Sequence, residues 1–113
     1  MIILDKPIKK ADLLNCQTKF EDDLVKGVVD IEQQLLAIDS GLHADLEKCL
    51  LENGSQQYAL WGINLYPHED DEEDFIEFDS MINIRPEQNN RSRSVENPEI
   101  QKEIIKTIKL WIK

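Results

Sequence analysis

Four carboxylates alternate with apolar residues in segments that have the composition of strands: Asp30, Glu32, Glu77 and Asp79. Residues of one parity lie on one face of a strand, so these side chains can share the polar face of a sheet. Like charges side by side repel there, and a bound Mg²⁺ or Mn²⁺ would relieve the repulsion. The four carboxylates are therefore predicted metal ligands under one hypothesis, a metal-dependent hydrolase or nuclease that acts on a phosphate ester.

A solvated sheet face accounts for the same carboxylates without a metal. Antiparallel sheets commonly expose one face to water, where the acids can pair with Arg85 and with nearby lysines. The residues alone leave both interpretations open, and solvation is the simpler one. A divalent cation is the one cofactor that the sequence suggests. The sequence leaves open whether the chain is an enzyme.

A second polar group lies between Asn83 and Arg93 and contains three arginines within nine residues. Arginine forks and amide donors at the end of a strand suit a phosphate or a carboxylate. A helix that begins at Pro98 could direct its first backbone N–H groups at the same anion. In the simpler interpretation, the arginines neutralise an acidic body. The predicted ligand-binding residues are Asn64, Asn83, Arg85, Asn89, Asn90, Arg91 and Ser92.

The histidines and cysteines give weaker indications. His43 and Glu47 are four residues apart and share a helix face, where a histidine can be a ligand or a general base. No second histidine follows at the spacing of a zinc-protease motif, so a structural role is favoured. Cys16 and Cys49 form no CxxC pair, and buried free thiols are expected.

Length and charge limit the classes of function. The chain has 113 residues, which favours a single domain over residues 1–113. Its net charge of −10 argues against general nucleic-acid binding. The charge is uneven, because residues 1–84 carry 6 basic and 19 acidic side chains, whereas residues 85–113 carry 7 and 4. Neither a membrane span nor the apolar stretch of a signal peptide is recognised, so the cytoplasm is the expected compartment.

Hydrophobic periodicity and turn residues predict eight elements. Asn53 and Gly54 are expected to end the second helix, with Ser40 as its N-cap, although residues 43–51 also allow a strand. Asn97 and Pro98 are expected to begin the last helix. The predicted elements are a strand at 2–4, a helix at 8–20, strands at 25–32 and 35–38, a helix through 42–50, strands at 60–66 and 75–85, and a helix at 98–112.

The order of these elements is β-α-β-β-α-β-β-α. Short connections between consecutive strands imply hairpins and a mostly antiparallel sheet. The predicted fold class is therefore α+β, with the helices packed on one face of the sheet. Periodicity does not show whether the two hairpins form one sheet.

Five stretches of the sequence together form a recognisable set of motifs: 28–32, 42–45, 60–67, 76–86 and 90–92. The most specific are IEFDSMINIRP at 76–86 and NRS at 90–92. With these motifs the chain resembles a family of small uncharacterised prokaryotic proteins that is classed as a domain of unknown function. The resemblance implies a stand-alone intracellular protein of about this length, and it implies no reaction.

The function expected from all these observations is that of a small cytoplasmic binding or regulatory module. Its polar sheet face and its Arg-rich loop would hold an anionic small molecule or a protein partner. The metal-dependent hydrolase or nuclease is the alternative. A homodimer is compatible with either hypothesis.

Overall fold

Five strands form one antiparallel sheet in the computed structural model, which describes residues 1–113. The strands are β1 (Ile2–Ile3), β2 (Val25–Asp30), β3 (Leu35–Ile38), β4 (Leu60–Leu65) and β5 (Ile76–Glu77). Their order across the sheet is β1-β3-β2-β4-β5. The two predicted hairpins belong to the same sheet, because β2 pairs with β4 from Val25 opposite Leu65 to Asp30 opposite Leu60.

Three α-helices accompany the sheet: α1 (His43–Glu52), α2 (Glu72–Phe75) and α3 (Pro98–Trp111). The predicted start of α3 is confirmed, since the Asn97 side chain accepts a hydrogen bond from the backbone N–H of Glu99 at 2.9 Å. The predicted second helix is also confirmed, and the competing strand at residues 43–51 is wrong. None of the helices is long and apolar enough to span a membrane.

The ends of α1 agree only in part with the prediction. Asn53 follows the last helical residue, and Gly54 has a φ of +101°, a left-handed conformation that glycine adopts without strain. The predicted N-cap Ser40 is wrong. Leu42 occupies the N-cap position, and no side chain accepts a hydrogen bond from the first turn.

The two long helices lie on opposite faces of the sheet. Val29 of β2 packs in one core cluster with Ile108 of α3, and Val28 packs in a second cluster with Leu46 of α1. All residues of β4 are buried, so both faces of the central strands need an apolar cover. The α+β class and the antiparallel sheet are confirmed, whereas the prediction that the helices pack on one face is wrong.

The first predicted helix is another error. Residues 8–20 contain a short 3-10 helix, Lys10–Asn15, followed by extended backbone at Cys16. Leu13 is buried there, but Phe20 is 43% exposed, so the apolar residues do not form one helix face. Spacing of i, i+3 and i+7 over so few residues does not distinguish an α-helix from a tighter turn followed by an extended segment.

The longest predicted strand, 75–85, is largely absent. Only Ile76–Glu77 pair with β4, after which the chain crosses the sheet face and forms a 3-10 helix at Met81–Asn83. Gly62 of β4 permits this crossing, because a Cβ atom there would lie 2.5 Å from Cβ of Ser80. Beyond position 77, Phe78 and Ile82 therefore pack against the core clusters without strand pairing, and Ile84 is 39% exposed.

Candidate functional site

Side chains, not a neighbouring strand, cover the edge of β4 beyond β5. The Asn83 side chain is fully buried beside Gly62. Its Oδ1 accepts a hydrogen bond from the Gly62 N–H at 2.8 Å, and its Nδ2 donates to the Gly62 carbonyl at 3.0 Å. Nδ2 also donates to the carbonyl of Arg93 at 3.0 Å. Asn83, a predicted ligand residue, thus replaces a strand partner and protects a sheet edge.

Arg85 has a similar structural role. Its guanidinium donates to the carbonyl oxygens of Gln57 at 2.6 Å and Leu60 at 2.5 Å, and lies 4.1 Å from the ring centre of Trp61. Burial lowers the pKa of Arg85, and the nearby Glu47 carboxylate opposes that shift. Only Nε lacks a partner, so most of this predicted ligand-binding group is already bound by the protein.

Asn89 and Asn90 shape the loop that follows. Asn89 is exposed and has a φ of +61°, a left-handed conformation that asparagine tolerates. The buried Asn90 amide donates to the carbonyl oxygens of Asn83 and Ser94, both at 2.7 Å, and accepts from the Glu96 N–H at 2.8 Å. Both predicted ligand residues therefore have a local structural explanation.

The backbone at Arg91 and Ser92 forms a small anion-binding arrangement that the chain itself fills. The N–H groups of the two residues donate to Oε2 of Glu96 at 3.0 and 2.9 Å. Hydrogen bonds from Ser92 and Arg91 lower the pKa of Glu96. The Arg91 side chain is exposed, whereas Arg93 donates from Nε to Asp79 at 2.7 Å.

The predicted metal ligands form two separate pairs. Asp30 is buried at the β2–β3 turn, where its carboxylate accepts from the Ser55 hydroxyl at 2.6 Å and from the backbone N–H of Glu32 at 2.9 Å. Glu32 accepts a hydrogen bond from the Tyr58 hydroxyl. Asp30 therefore stabilises the β2–β3 turn, and the Glu32 carboxylate binds Tyr58 at the protein surface.

Glu77 and Asp79 lie at the other end of β4. Asp30 is opposite Leu60 of β4, whereas Glu77 is opposite Asn64 of β4. Leu60 and Asn64 are four residues apart, so the two positions are separated by about 13 Å along the strand. No group of three or more His, Cys, Asp or Glu side chains lies close enough together to hold a metal ion. The structure does not bring the four predicted ligands into one site.

A cavity of about 430 Å³ lies between the N-terminal end of α1 and the β4–β5 end of the sheet. We call it the His43 pocket. Asn64 is the register partner of both Lys26 and Glu77, so three polar side chains from β2, β4 and β5 form a row across one face. The polar residues of the lining include Lys26, His43, Asn64, Tyr66, Glu77 and Asp79.

Asn64 is the most informative residue in the pocket. It is 5% exposed, and its Nδ2 donates to Oε1 of Glu77 at 2.8 Å and to the carbonyl of Asp79 at 3.3 Å. These two acceptors fix the orientation of the amide, because a flipped amide would place its oxygen against a carboxylate. Its Oδ1 has no hydrogen-bond partner. A buried acceptor left in this way costs about 1–3 kcal/mol, which a ligand donor would recover.

A protein-family model described as "Protein of unknown function (DUF5674)" matches residues 2–110. The chain belongs to the DUF5674 family. The match includes both the β4 edge and the His43 pocket, and it confirms the expected resemblance to a domain of unknown function. Nothing among the curated proteins or the solved structures matches the chain.

His43 enters the site of this DUF5674 family member from the first turn of α1. Its Nε2 lies 2.9 Å from the carbonyl oxygen of Ile63. A carbonyl only accepts, so Nε2 carries the proton and Nδ1 is the acceptor of the neutral ring. Burial is the main cause that lowers the pKa of His43, and Lys26 lowers it further, whereas the Ile63 carbonyl, the Asn64 side chain and Asp79 oppose the shift. The imidazole is therefore neutral at pH 7.

We expect this buried histidine to make stability depend on pH. The folded-state pKa lies below the unfolded value of 6.5, so the unfolded chain binds a proton first as pH falls. The stability from neutral His43 is present above pH 6.5 and is lost progressively below it. Urea unfolding at pH 7.5 and pH 5 should show a larger loss of stability in the native protein than in His43→Gln. His68→Gln is the control and should keep the native loss; equal losses in native protein and His43→Gln would contradict the assignment.

Apolar side chains form the rim of the pocket. Leu42 is 58% exposed and Met81 is 65% exposed, although both are large hydrophobic residues, and Ile82 lies beside them. Exposed apolar groups next to a buried polar floor are typical of sites that take a ligand with an apolar part. The pocket can therefore contact a molecule by hydrogen bonds at its floor and by apolar contact at its rim.

Three larger cavities lie along α3 and the acidic residues 69–74, with volumes of about 540, 470 and 660 Å³. Exposed lysines or carboxylates line each of them. The four buried polar atoms without a partner belong to Glu47, Trp61, Asn64 and Arg85, and none of these residues lines the three cavities. The three larger cavities thus contain no buried polar atom without a partner, whereas Asn64 of the His43 pocket has one.

Sequence reasoning found part of this pocket. It predicted Asn64, Glu77 and Asp79 as site residues, and the structure brings these three together. It did not predict Lys26 and it favoured a structural role for His43, because their proximity to Asn64 depends on strand register and on the face to which α1 packs. The alternation of Lys26 with apolar neighbours was the available indication that this lysine faces the same side as Asn64.

Proposed function

We propose that this protein is a small binding or regulatory module whose ligand occupies the His43 pocket. The observation that carries the proposal is the buried Asn64 amide, whose oxygen accepts no hydrogen bond from the protein, in a residue that lines a cavity of about 430 Å³. Native proteins seldom leave such a group unpaired, so a bound donor is its simplest explanation.

This proposal keeps the polar sheet face of the sequence hypothesis and changes the role of the Arg-rich loop. Arg85 binds backbone carbonyl groups and Arg93 binds Asp79, so two of the three arginines are engaged within the protein. Arg91 is the arginine left for an anionic ligand or a protein partner at that loop. The ligand is therefore proposed to contact Asn64 and its neighbours instead.

The cytoplasm remains the proposed compartment, on the composition of the sequence. A homodimer also remains a proposal, and a monomer in light scattering at high protein concentration would contradict it. The metal-dependent hydrolase has no comparable observation in its favour, because Asp30 and Glu32 lie far from Glu77 and Asp79.

Thermal unfolding with a panel of small ligands tests the proposal. The panel contains amines, carboxylates, amino acids, phosphate and nucleotides, each with and without Mg²⁺. A ligand at a hundred times its dissociation constant should stabilise the protein by about 2.7 kcal/mol, or roughly 10 °C. The shift should disappear in Asn64→Leu, which removes the unpaired oxygen, and persist in Arg91→Ala.

The two variants separate the pocket from the loop. A shift that survives in Asn64→Leu but is lost in Arg91→Ala would replace the pocket with the Arg-rich loop. No shift with any compound of the panel would reject the His43 pocket as a small-molecule site.

A further inference from the structure

One wall of the His43 pocket offers hydrogen-bond acceptors. Oδ1 of Asn64 has no partner, and Glu77 receives both of its hydrogen bonds, from Asn64 and from the Tyr66 hydroxyl at 3.0 Å, on Oε1 alone. Its Oε2 is therefore available. Two free acceptors, one of them charged, favour a group with several N–H donors and a positive charge, such as a primary ammonium.

The opposite wall is positive. Lys26 forms no ion pair with a carboxylate, and its Nζ lies 4.8 Å from the ring centre of Phe20. His43 and Ala44, the first two residues of the ten-residue helix α1, also line the pocket. No side chain caps this helix end, so its N–H groups and the helix dipole favour an anion, and Lys26 adds a full charge.

The residues of the two walls, Lys26 of β2 and Glu77 of β5, are separated by the strand β4. Lys26 and Glu77 are both partners of Asn64, and adjacent strands are separated by about 4.8 Å. Their Cα atoms are thus roughly 10 Å apart, and both side chains can reach a small molecule between them. The exposed Leu42 and Met81 side chains complete the rim with apolar surface.

We infer that the His43 pocket recognises a small zwitterion, an α-amino acid with an apolar side chain. Its ammonium group donates to Asn64 Oδ1 and Glu77, and its carboxylate faces Lys26 and the N-terminus of α1. Its side chain contacts Leu42 and Met81. This inference rests on the proposed function and names the ligand class of that same site.

Calorimetric titration with a matched set of compounds tests each part of the recognition. L-Leucine, L-isoleucine, L-valine and L-methionine carry all three groups. N-Acetyl-L-leucine lacks the ammonium, L-leucinamide lacks the carboxylate, and glycine lacks the side chain. At least one of the four amino acids should bind, and each altered compound should bind at least tenfold more weakly than L-leucine.

Two variants remove one charge each: Glu77→Gln keeps a side-chain oxygen that can accept from Asn64, and Lys26→Met keeps a side chain of similar length. Glu77→Gln should weaken L-leucine binding at least tenfold and leave the weak binding of N-acetyl-L-leucine unchanged, because that compound has no ammonium. Lys26→Met should weaken L-leucine and spare L-leucinamide. The matched controls Glu73→Gln and Lys48→Met change exposed residues outside the pocket and should bind as the native protein does.

The outcomes separate the inference from the proposed function. Equal binding of L-leucine and N-acetyl-L-leucine, or no binding of the four amino acids, would overturn the zwitterion. If an unrelated compound then stabilised the native protein but not Asn64→Leu, the pocket would stand and only its ligand class would fall. If no compound depended on Asn64, both would fall.

Discussion

Gly62→Ala is expected to destabilise the protein by about 3 kcal/mol and to lower its melting temperature by roughly 10 °C. The added Cβ would lie 2.5 Å from Cβ of Ser80 and 2.6 Å from its Oγ, both too close for non-bonded atoms. Either β4 or the crossing segment must move. Because Asn83 binds both backbone groups of Gly62, that movement also strains the covered edge of the sheet. Urea unfolding followed by circular dichroism measures the loss.

Two further variants identify the cause. Gly41→Ala is the matched control, because its new Cβ would meet only Thr18 Cγ2 at 3.8 Å, an ordinary contact. It should change the stability by less than about 0.5 kcal/mol. In Ser80→Gly, the alanine at position 62 should cost clearly less than it does in the native background, since the clashing atoms are gone. Additive costs of the two changes would show that the crossing over Gly62 is not the source of the loss.

Asn83→Leu should cost about 4 kcal/mol. The substitution keeps a similar volume but leaves two buried backbone groups unpaired, the N–H and the carbonyl of Gly62, whereas the carbonyl of Arg93 still accepts from the Ser80 N–H at 3.0 Å. Each unsatisfied group costs about 1–3 kcal/mol when it stays buried. The variant should also aggregate more readily, because the edge of β4 becomes available for pairing with another chain.

Asn89→Gly is the matched control for this loop. Asn89 is exposed and already left-handed, a conformation that glycine adopts easily, so its replacement should leave stability within about 0.5 kcal/mol. Denaturant midpoints and light scattering of both variants provide the comparison. Native stability in Asn83→Leu would contradict the structural role assigned to this asparagine.

Local patterns in the sequence predicted the elements that local physics determines. The Asn97 cap with Pro98 located α3, alternating residues located β2 and β4, and a short apolar run located β3. The length of β5 could not be predicted in this way, because residues 76–84 alternate whether or not they pair. Contact between Gly62 and Ser80 decides that question, and it depends on the tertiary fold.

The same limit applies to the polar residues. Asn83, Arg85 and Asn90 have the chemistry of ligand-binding groups, and a single sequence does not show whether their partners are backbone carbonyls or a ligand. In the structure, their side chains donate hydrogen bonds to backbone carbonyl oxygens of the protein itself. Asn64 has the same residue type as two of them, yet it keeps an unpaired oxygen beside a cavity, which only the arrangement of strands and α1 reveals.

The most direct test of the His43 pocket is a ¹H–¹⁵N NMR titration of the labelled protein with zwitterions, amines and carboxylates in turn. The Asn64 side-chain amide is a specific probe, because its oxygen should accept the ligand's donor. We expect one compound class to shift the signals of Asn64, His43 and Ala44 in a saturable way. Saturable shifts confined to the Arg91–Arg93 loop, or none with any class, would contradict the binding site described above.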